Sequence, residues 1–226
     1  MSDTLLADDL LLLLLDDESG KLNRNSLVGV ETAIGGALLV ELSLLGTVEL
    51  GEKERFRSPK VVAATAPTSL PPILRAALDD VLEKERTAAS LVQRLGKDRK
   101  EEVLARLVDR GMIRAEKDKV LGLFPRTRWP AEDSSHEETV RSKIRESLLA
   151  ERAVDDRTAA VIALLSAYEV IASVMEIDGM KSRELRKRAK AIGEGAWGSE
   201  ALRDAVEAAQ AAVIVAVGAA SVAAST

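Results

Sequence analysis

The 226-residue chain predicts a mainly α-helical protein, folded as a single domain over residues 1–226. Three observations lead there. Hydrophobic residues make up 46% of the chain but aromatics only 2%, so the core must be built from Leu, Val, Ile and Ala. A chain rich in Ala and Leu with 31% charged residues favours helices over sheets. The breaks between apolar segments are short and evenly spread, with no internal repeat and no low-complexity linker.

The elements follow in order. Residues 4–15 read as a helix, with Asp3 or Thr4 as cap and acids in its first turn. It is apolar on most sides, which suits a central position. A turn around Ser19-Gly20 follows. Asn25 or Ser26 caps a second helix that runs to about Leu45 and stops at Gly46. Gly35-Gly36 inside that helix costs stability, so the pair marks close packing or close approach of something to the backbone. Thr47-Val48-Glu49-Leu50 alternates as a short strand, with Lys60-Val61-Val62-Ala63 as its partner. Residues 66–72 form a loop. Helices are expected at 73–83, 87–95 and 97–110, the last ended by Gly111. Residues 111–124 read as a β-hairpin in which two apolar strands flank a charged tip, and the preceding helix completes the outline of a winged helix. Residues 125–136 are a loop, 137–152 an amphipathic helix and 157–173 a long apolar helix containing Tyr168. A break at 175–181 precedes a strongly basic helix at 182–192, a Gly-rich turn and a closing helix at 200–224.

The absence of cysteine excludes disulfides, thiolate chemistry and Cys-based metal sites. A net charge of −5 argues against a dedicated nucleic-acid binder. The leucine block at 10–15 is no export signal, because Asp3, Asp8 and Asp9 stand where a basic n-region would lie. The apolar tail at 208–224 is Ala-rich and interrupted by Gln210, Gly218 and Ser221, so it reads as a buried terminal helix rather than a membrane span. A cytoplasmic protein is expected.

No Walker loop, dinucleotide glycine motif, nucleophile elbow or HExxH is present, so neither an enzyme nor a cofactor is expected. Asp8, Asp9, Asp16 and Asp17 read as acids of helix ends and solvated turns, Asp155-Asp156 as the cap of the next helix, and His136 as a surface residue. Two basic features stand out. Lys97, Arg99 and Lys100 open a helix after Gly96; Lys97 and Lys100, three apart, share a face on which one anion could be gripped at a helix N-terminus. Lys181, Arg183, Arg186, Lys187, Arg188 and Lys190 are offset only by Glu184. That helix is either a solvated face or a surface drawn to an acidic membrane. The loop before it holds Met175, Ile177 and Met180 around a glycine turn. Exposed, these residues suit shallow membrane insertion; buried, they are core or an oligomer contact.

The series resembles the Golgi phosphoprotein 3 family and looks like a prokaryotic, bacterial member of it. The resemblance rests on the leucines at 11–15 with Asp16 and Gly20, on Ala37-Leu38-Leu39-Val40-Glu41-Leu42-Ser43-Leu44-Leu45-Gly46, on Ala66-Pro67-Thr68, on Leu104-Ala105-Arg106-Leu107-Val108-Asp109-Arg110-Gly111 and on the helix at 164–170. It implies a central helical bundle wrapped by amphipathic helices, with one or two short β-hairpins and a projecting apolar hairpin that corresponds to 175–180. It also implies a peripheral membrane adaptor, not an enzyme. Eukaryotic members recognise phosphatidylinositol 4-phosphate and retain glycosyltransferases through their cytosolic tails. Two arginines of the family's headgroup pocket fall on Lys97 and Lys100, a third on Gly35 and a tryptophan on Ser26, with Arg24 nearby. The basic N-terminal extension that eukaryotic members use to engage coat proteins has no counterpart before the leucine helix, so no coat-adaptor role is expected.

The expected function is therefore a peripheral membrane protein that binds acidic phospholipid headgroups. Lys97, Lys100, Arg24 and Arg99 would form the anion site, Met175, Ile177 and Met180 the membrane-contacting loop, and Lys181, Arg183, Arg186, Lys187 and Lys190 the membrane-facing helix. Two alternatives stay open. One is a lipid-independent adaptor for the cytosolic tail of a membrane enzyme, with a homo-oligomer also open. The other is a winged-helix nucleic-acid binder using Arg114, Lys117, Lys119, Arg126 and Arg128.

Overall fold

The computed structural model describes residues 4–22, 29–51, 59–65, 69–120, 124–195 and 207. Helix α1 (Leu6–Leu14) is buried on every side, as its leucine run requires. It packs against α2 (Val30–Leu44), α5 (Lys100–Asp109), α6 (Ser135–Ala150) and α7 (Asp156–Ala167). Its N-terminus differs from expectation. Leu5, not Thr4, precedes the helix, and the Asp8 carboxylate accepts the Leu5 N–H at 2.9 Å. Asp3 and the predicted second cap, Asn25 or Ser26, lie outside the described residues.

Together α1, α2 and α7 form the central layer. On one side lie α3 (Pro72–Glu83) and α4 (Ala88–Gly96), which pack on α2. On the other lie α6, the short α8 (Ile171–Val174) and α9 (Ser182–Gly193), with α9 seated on α7, α8 and α6. The flanking helices are amphipathic: α3 buries Ile73, Leu74, Ala77, Leu78 and Val81, while α9 buries Leu185, Ala189 and Ile192. Helices α2 and α4 cross with their backbones in contact, and glycine makes this possible. A Cβ on Gly35 would overlap the Val92 carbonyl oxygen, and one on Gly96 would overlap the Glu31 carbonyl oxygen. Gly35-Gly36 therefore marks helix packing. Gly46, at φ +65°, ends α2 as predicted.

Strands β1 (Val48–Leu50) and β2 (Lys60–Ala63) pair antiparallel, Val48 opposite Ala63. A third strand, β3 (Arg86–Thr87), adds to β2 and was not legible in the sequence. The second hairpin is shifted from its predicted register. Its strands are β4 (Glu116–Val120) and β5 (Phe124–Arg128), so the charged residues expected at the tip form a strand instead. Two helices also differ from their predicted bounds. The 97–110 helix begins only at Lys100, because Asp98 turns the chain at φ +60°. The 157–173 helix is cut into α7 and α8 by Glu169 at φ +56°. Asp155 caps α7 as expected, accepting the Thr158 N–H at 2.6 Å. The predicted closing helix lies outside the described residues except for Glu207. Among the described residues no helix is long and apolar enough to cross a membrane.

Candidate functional site

The sequence of α9 sorts its side chains around the helix. Leu185, Ala189 and Ile192, at i, i+4 and i+7, face the core. Arg183, Arg186, Lys187 and Lys190, at i, i+3, i+4 and i+7, fall on the opposite face, and all four are exposed. Lys181, the extended residue before the helix, is exposed beside them. Among the described residues Lys181, Arg183, Arg186 and Lys187 make no salt bridge, and Lys190 reaches only the exposed Glu194, at 3.7 Å. Arg188 is different. It sits on the flank, donates to Glu184 at 2.9 Å and to the Leu148 carbonyl at 3.1 Å, and lies 3.5 Å from Glu151. The Glu184 carboxyl is held below its ordinary range, first by the Arg188 hydrogen bond and also by the charge of Lys187.

The loop before α9 does not project. Met175 and Ile177 are buried and Met180 is half-buried, which corrects the reading of these residues as a membrane-contacting loop. The reason is local. Met175 is extended, so the side chains alternate: Met175 and Ile177 turn inward, Glu176 and Asp178 outward. Arg141 fastens the segment by donating to the Val174 carbonyl. Met175, Ile177 and Met180 then line a cleft of about 280 Å³ with Leu185 of α9.

The second predicted site is not assembled as expected. Lys97 closes α4 and Lys100 opens α5, with the left-handed Asp98 between them, so the two do not share one helix face. Lys97 is exposed and Lys100 half-buried, and neither has an ion pair among the described residues. Arg99 is committed elsewhere. Its side chain is only 12% exposed, and it donates to Asp80 at 2.7 Å and to the Leu95 carbonyl at 2.9 Å. Arg94 holds the other Asp80 oxygen at 2.9 Å. Burial works to raise the Asp80 carboxyl, but the hydrogen bonds from Arg99 and Arg94 outweigh it and hold the group below its ordinary range. Arg24 lies outside the described residues.

Sequence reasoning missed a buried polar network at the start of α1. Asp8 accepts both nitrogens of the Arg106 fork, at 3.0 and 3.3 Å. Arg157 donates to Asp9 at 2.8 and 3.1 Å, to Glu41 at 3.1 and 3.3 Å and to the Thr4 carbonyl at 2.8 Å. His136, predicted as a surface residue, instead meets Asp9 at 2.7 Å. Glu41 also accepts the Leu6 N–H. Burial pushes the Glu41 carboxyl above its ordinary range, against the pull of Arg157. Asp8 and Asp9 are thus interior ion-pair members rather than solvated helix-end acids. Every member is satisfied, so the network organises the core. Its signal was present: two aspartates in a helix leucine-lined on all sides must find cations.

Glu137 of α6 is buried, and burial raises its carboxyl from an ordinary 4.5 to about 7, with Arg141 opposing and Asp17 adding to the rise. Beside it a cleft of about 590 Å³ is lined by Asp16, Asp17, Glu18, Lys21, Arg141 and Val174. On the winged-helix side, Arg114 bonds Glu116 and the Ala131 carbonyl, and Arg128 bonds Glu116, so both are tied within the hairpin region. Among the described residues no group of three or more His, Asp or Glu is placed to hold a metal ion.

A sequence model of Golgi phosphoprotein 3 (GPP34) matches residues 6–209. The chain belongs to the Golgi phosphoprotein 3 family. No curated protein matches it in sequence. Within this family frame the α2–α4 crossing gains a second meaning. Gly35, the position assigned to a pocket arginine, is where two helix backbones touch, so no side chain can grow there without driving α2 and α4 apart.

Proposed function

We propose that this family member is a peripheral membrane protein that binds acidic phospholipid headgroups, with the outward face of α9 as its contact. The observation that carries the reading is the row of Arg183, Arg186, Lys187 and Lys190, exposed on one helix face of a protein whose net charge is −5. A local excess of cations in an acidic protein orients it toward an anionic surface. Each basic residue near such a bilayer is worth about 1 kcal/mol, so four supply roughly 4 kcal/mol before the cost of immobilising the protein. Family membership supports the same direction, since eukaryotic members are peripheral membrane proteins.

Lys97 and Lys100 are the alternative contact. They are two point-charge ammoniums where the family pocket has guanidinium forks, so they favour generic phosphate attraction over reading one inositol phosphate. They also lie on the α3–α4 side of the central layer, away from α9.

Vesicle co-sedimentation tests the proposal, comparing neutral liposomes with liposomes carrying either a generic anionic lipid or phosphatidylinositol 4-phosphate, at low and high salt. The expected result is binding to both anionic compositions that weakens steeply with salt. Binding to neither would overturn the reading in favour of a lipid-independent adaptor for a membrane enzyme's tail.

A further inference from the structure

Among the described residues the large exposed hydrophobics are Leu82 at 59%, Leu149 at 56% and Val154 at 39%. Leu82 lies on α3, across the bundle. The other two flank the turn between α6 and α7, and that turn is fastened to α9. Arg188, next in the chain to Lys187, donates to the Leu148 carbonyl at 3.1 Å and pairs with Glu151 at 3.5 Å.

The turn is built rather than frayed. Glu151 closes α6 in the left-handed region at φ +55°. The Arg152 N–H donates to the Ser147 carbonyl at 3.1 Å, and the Val154 N–H to the Ser147 hydroxyl at 3.3 Å. Ser147 is itself buried and donates to the Lys143 carbonyl at 2.8 Å. Val154 is therefore held in place by the hydrogen bonds that shape the turn, while Leu149 lies on the exposed side of the last turn of α6. Of the nearby carboxylates that would resist an anionic surface, Glu151 pairs with Arg188 and Asp155 with Lys143 at 3.0 Å, while Glu146 is exposed and makes no salt bridge among the described residues. Arg152 adds an exposed cation.

We infer that Leu149 and Val154 are the apolar part of the membrane contact, entering the lipid interface beside the cationic face of α9. The inference rests on the reading of α9 given above. Lipid is the occupant that fits. Two aliphatic side chains present far too little apolar area for a stable protein interface. They do suit a shallow insertion whose attraction comes mainly from neighbouring cations. The apolar role expected of Met175, Ile177 and Met180 thus passes to the neighbouring turn.

The chain has no cysteine, so single-site labelling tests this directly. Leu149→Cys and, as control, Leu82→Cys would each carry a polarity-sensitive fluorophore and meet anionic vesicles containing a lipid quencher near the headgroup. The expected result is a blue shift and quenching at position 149 with no change at 82. In parallel, Leu149→Asp/Val154→Asp should lower vesicle affinity about tenfold or more while leaving circular dichroism unaltered. An unshifted label at 149, with unchanged affinity of the double aspartate variant, would overturn the inference. If Arg186→Glu/Lys187→Glu still abolished binding in that case, the α9 reading would survive alone. Failure of the unsubstituted protein to bind any vesicle would overturn both.

Discussion

Asp80 draws Arg94 and Arg99 inward at the α4–α5 side of the bundle, while Lys97 and Lys100 there make no ion pair among the described residues. On α9, across the central layer, Arg188 on the flank pairs with Glu184 and Glu151 and Lys190 reaches Glu194 at the end of the helix, while among the described residues Arg183, Arg186 and Lys187 make no salt bridge. The two regions are similarly basic in sequence. What separates them is the supply of acids: α3 brings Asp80 and Glu83 to the first region, whereas Glu184, Glu151 and Glu194 reach only the margins of the second. A cation paired in a half-buried site holds helices together. A row of uncompensated cations costs the fold self-repulsion, which the proposed anionic surface would offset.

This contrast yields predictions of decreasing size. The largest concerns the most deeply committed arginine. Arg157→Leu leaves Asp9 and Glu41 buried without their cation and should cost about 3–5 kcal/mol in denaturant unfolding. Next, Arg186→Glu/Lys187→Glu should leave unfolding unchanged but lower anionic-vesicle affinity on the order of a hundredfold, since two attractive charges become repulsive. Arg99→Ala should do the reverse. Freed of one partner, Asp80 keeps only Arg94, so stability should fall by about 1–3 kcal/mol with vesicle binding unaltered. A drop in vesicle binding for that variant would mean that the α4–α5 side is itself the contact.

The smallest effect is a pH dependence. Glu137 has a folded-state value of about 7 against an ordinary 4.5, so the folded protein binds the extra proton between those limits. Stability from this group is complete below 4.5 and is lost as pH rises through 7. Glu137→Gln should flatten that decline by about 1 kcal/mol. Thermal unfolding at pH 5 and pH 8 would read it as a shift of about 2–4 °C.

Much of this contrast was legible before the fold. The spacing of Leu185, Ala189 and Ile192 against Arg183, Arg186, Lys187 and Lys190 fixes which side of α9 is wet. The alternation in residues 48–50 and 60–63 gave a real antiparallel pair. The headgroup site is harder, because a left-handed Asp98 breaks the helix expected to align Lys97 with Lys100; aspartate enters that conformation more readily than most residues, but only a minority of aspartates do so. The buried network joins residues up to 148 positions apart, beyond the reach of local periodicity. The 175–180 loop differs for another reason. Its Met175-Glu176-Ile177-Asp178 alternation is that of an extended segment with one apolar side, and which side is buried depends on the packing of α7 and α9 against it.

The most direct test sets the two regions against each other in one assay. Arg186→Glu/Lys187→Glu and Lys97→Glu/Lys100→Glu impose the same change of charge on opposite sides of the central layer. Their affinities for anionic vesicles would be measured beside that of the unsubstituted protein at one salt concentration. Near-complete loss for the α9 pair, with the Lys97/Lys100 pair within about threefold of the original, is the predicted result. Loss for the Lys97/Lys100 pair with the α9 pair unaffected would contradict the account and return the headgroup site to the α4–α5 turn.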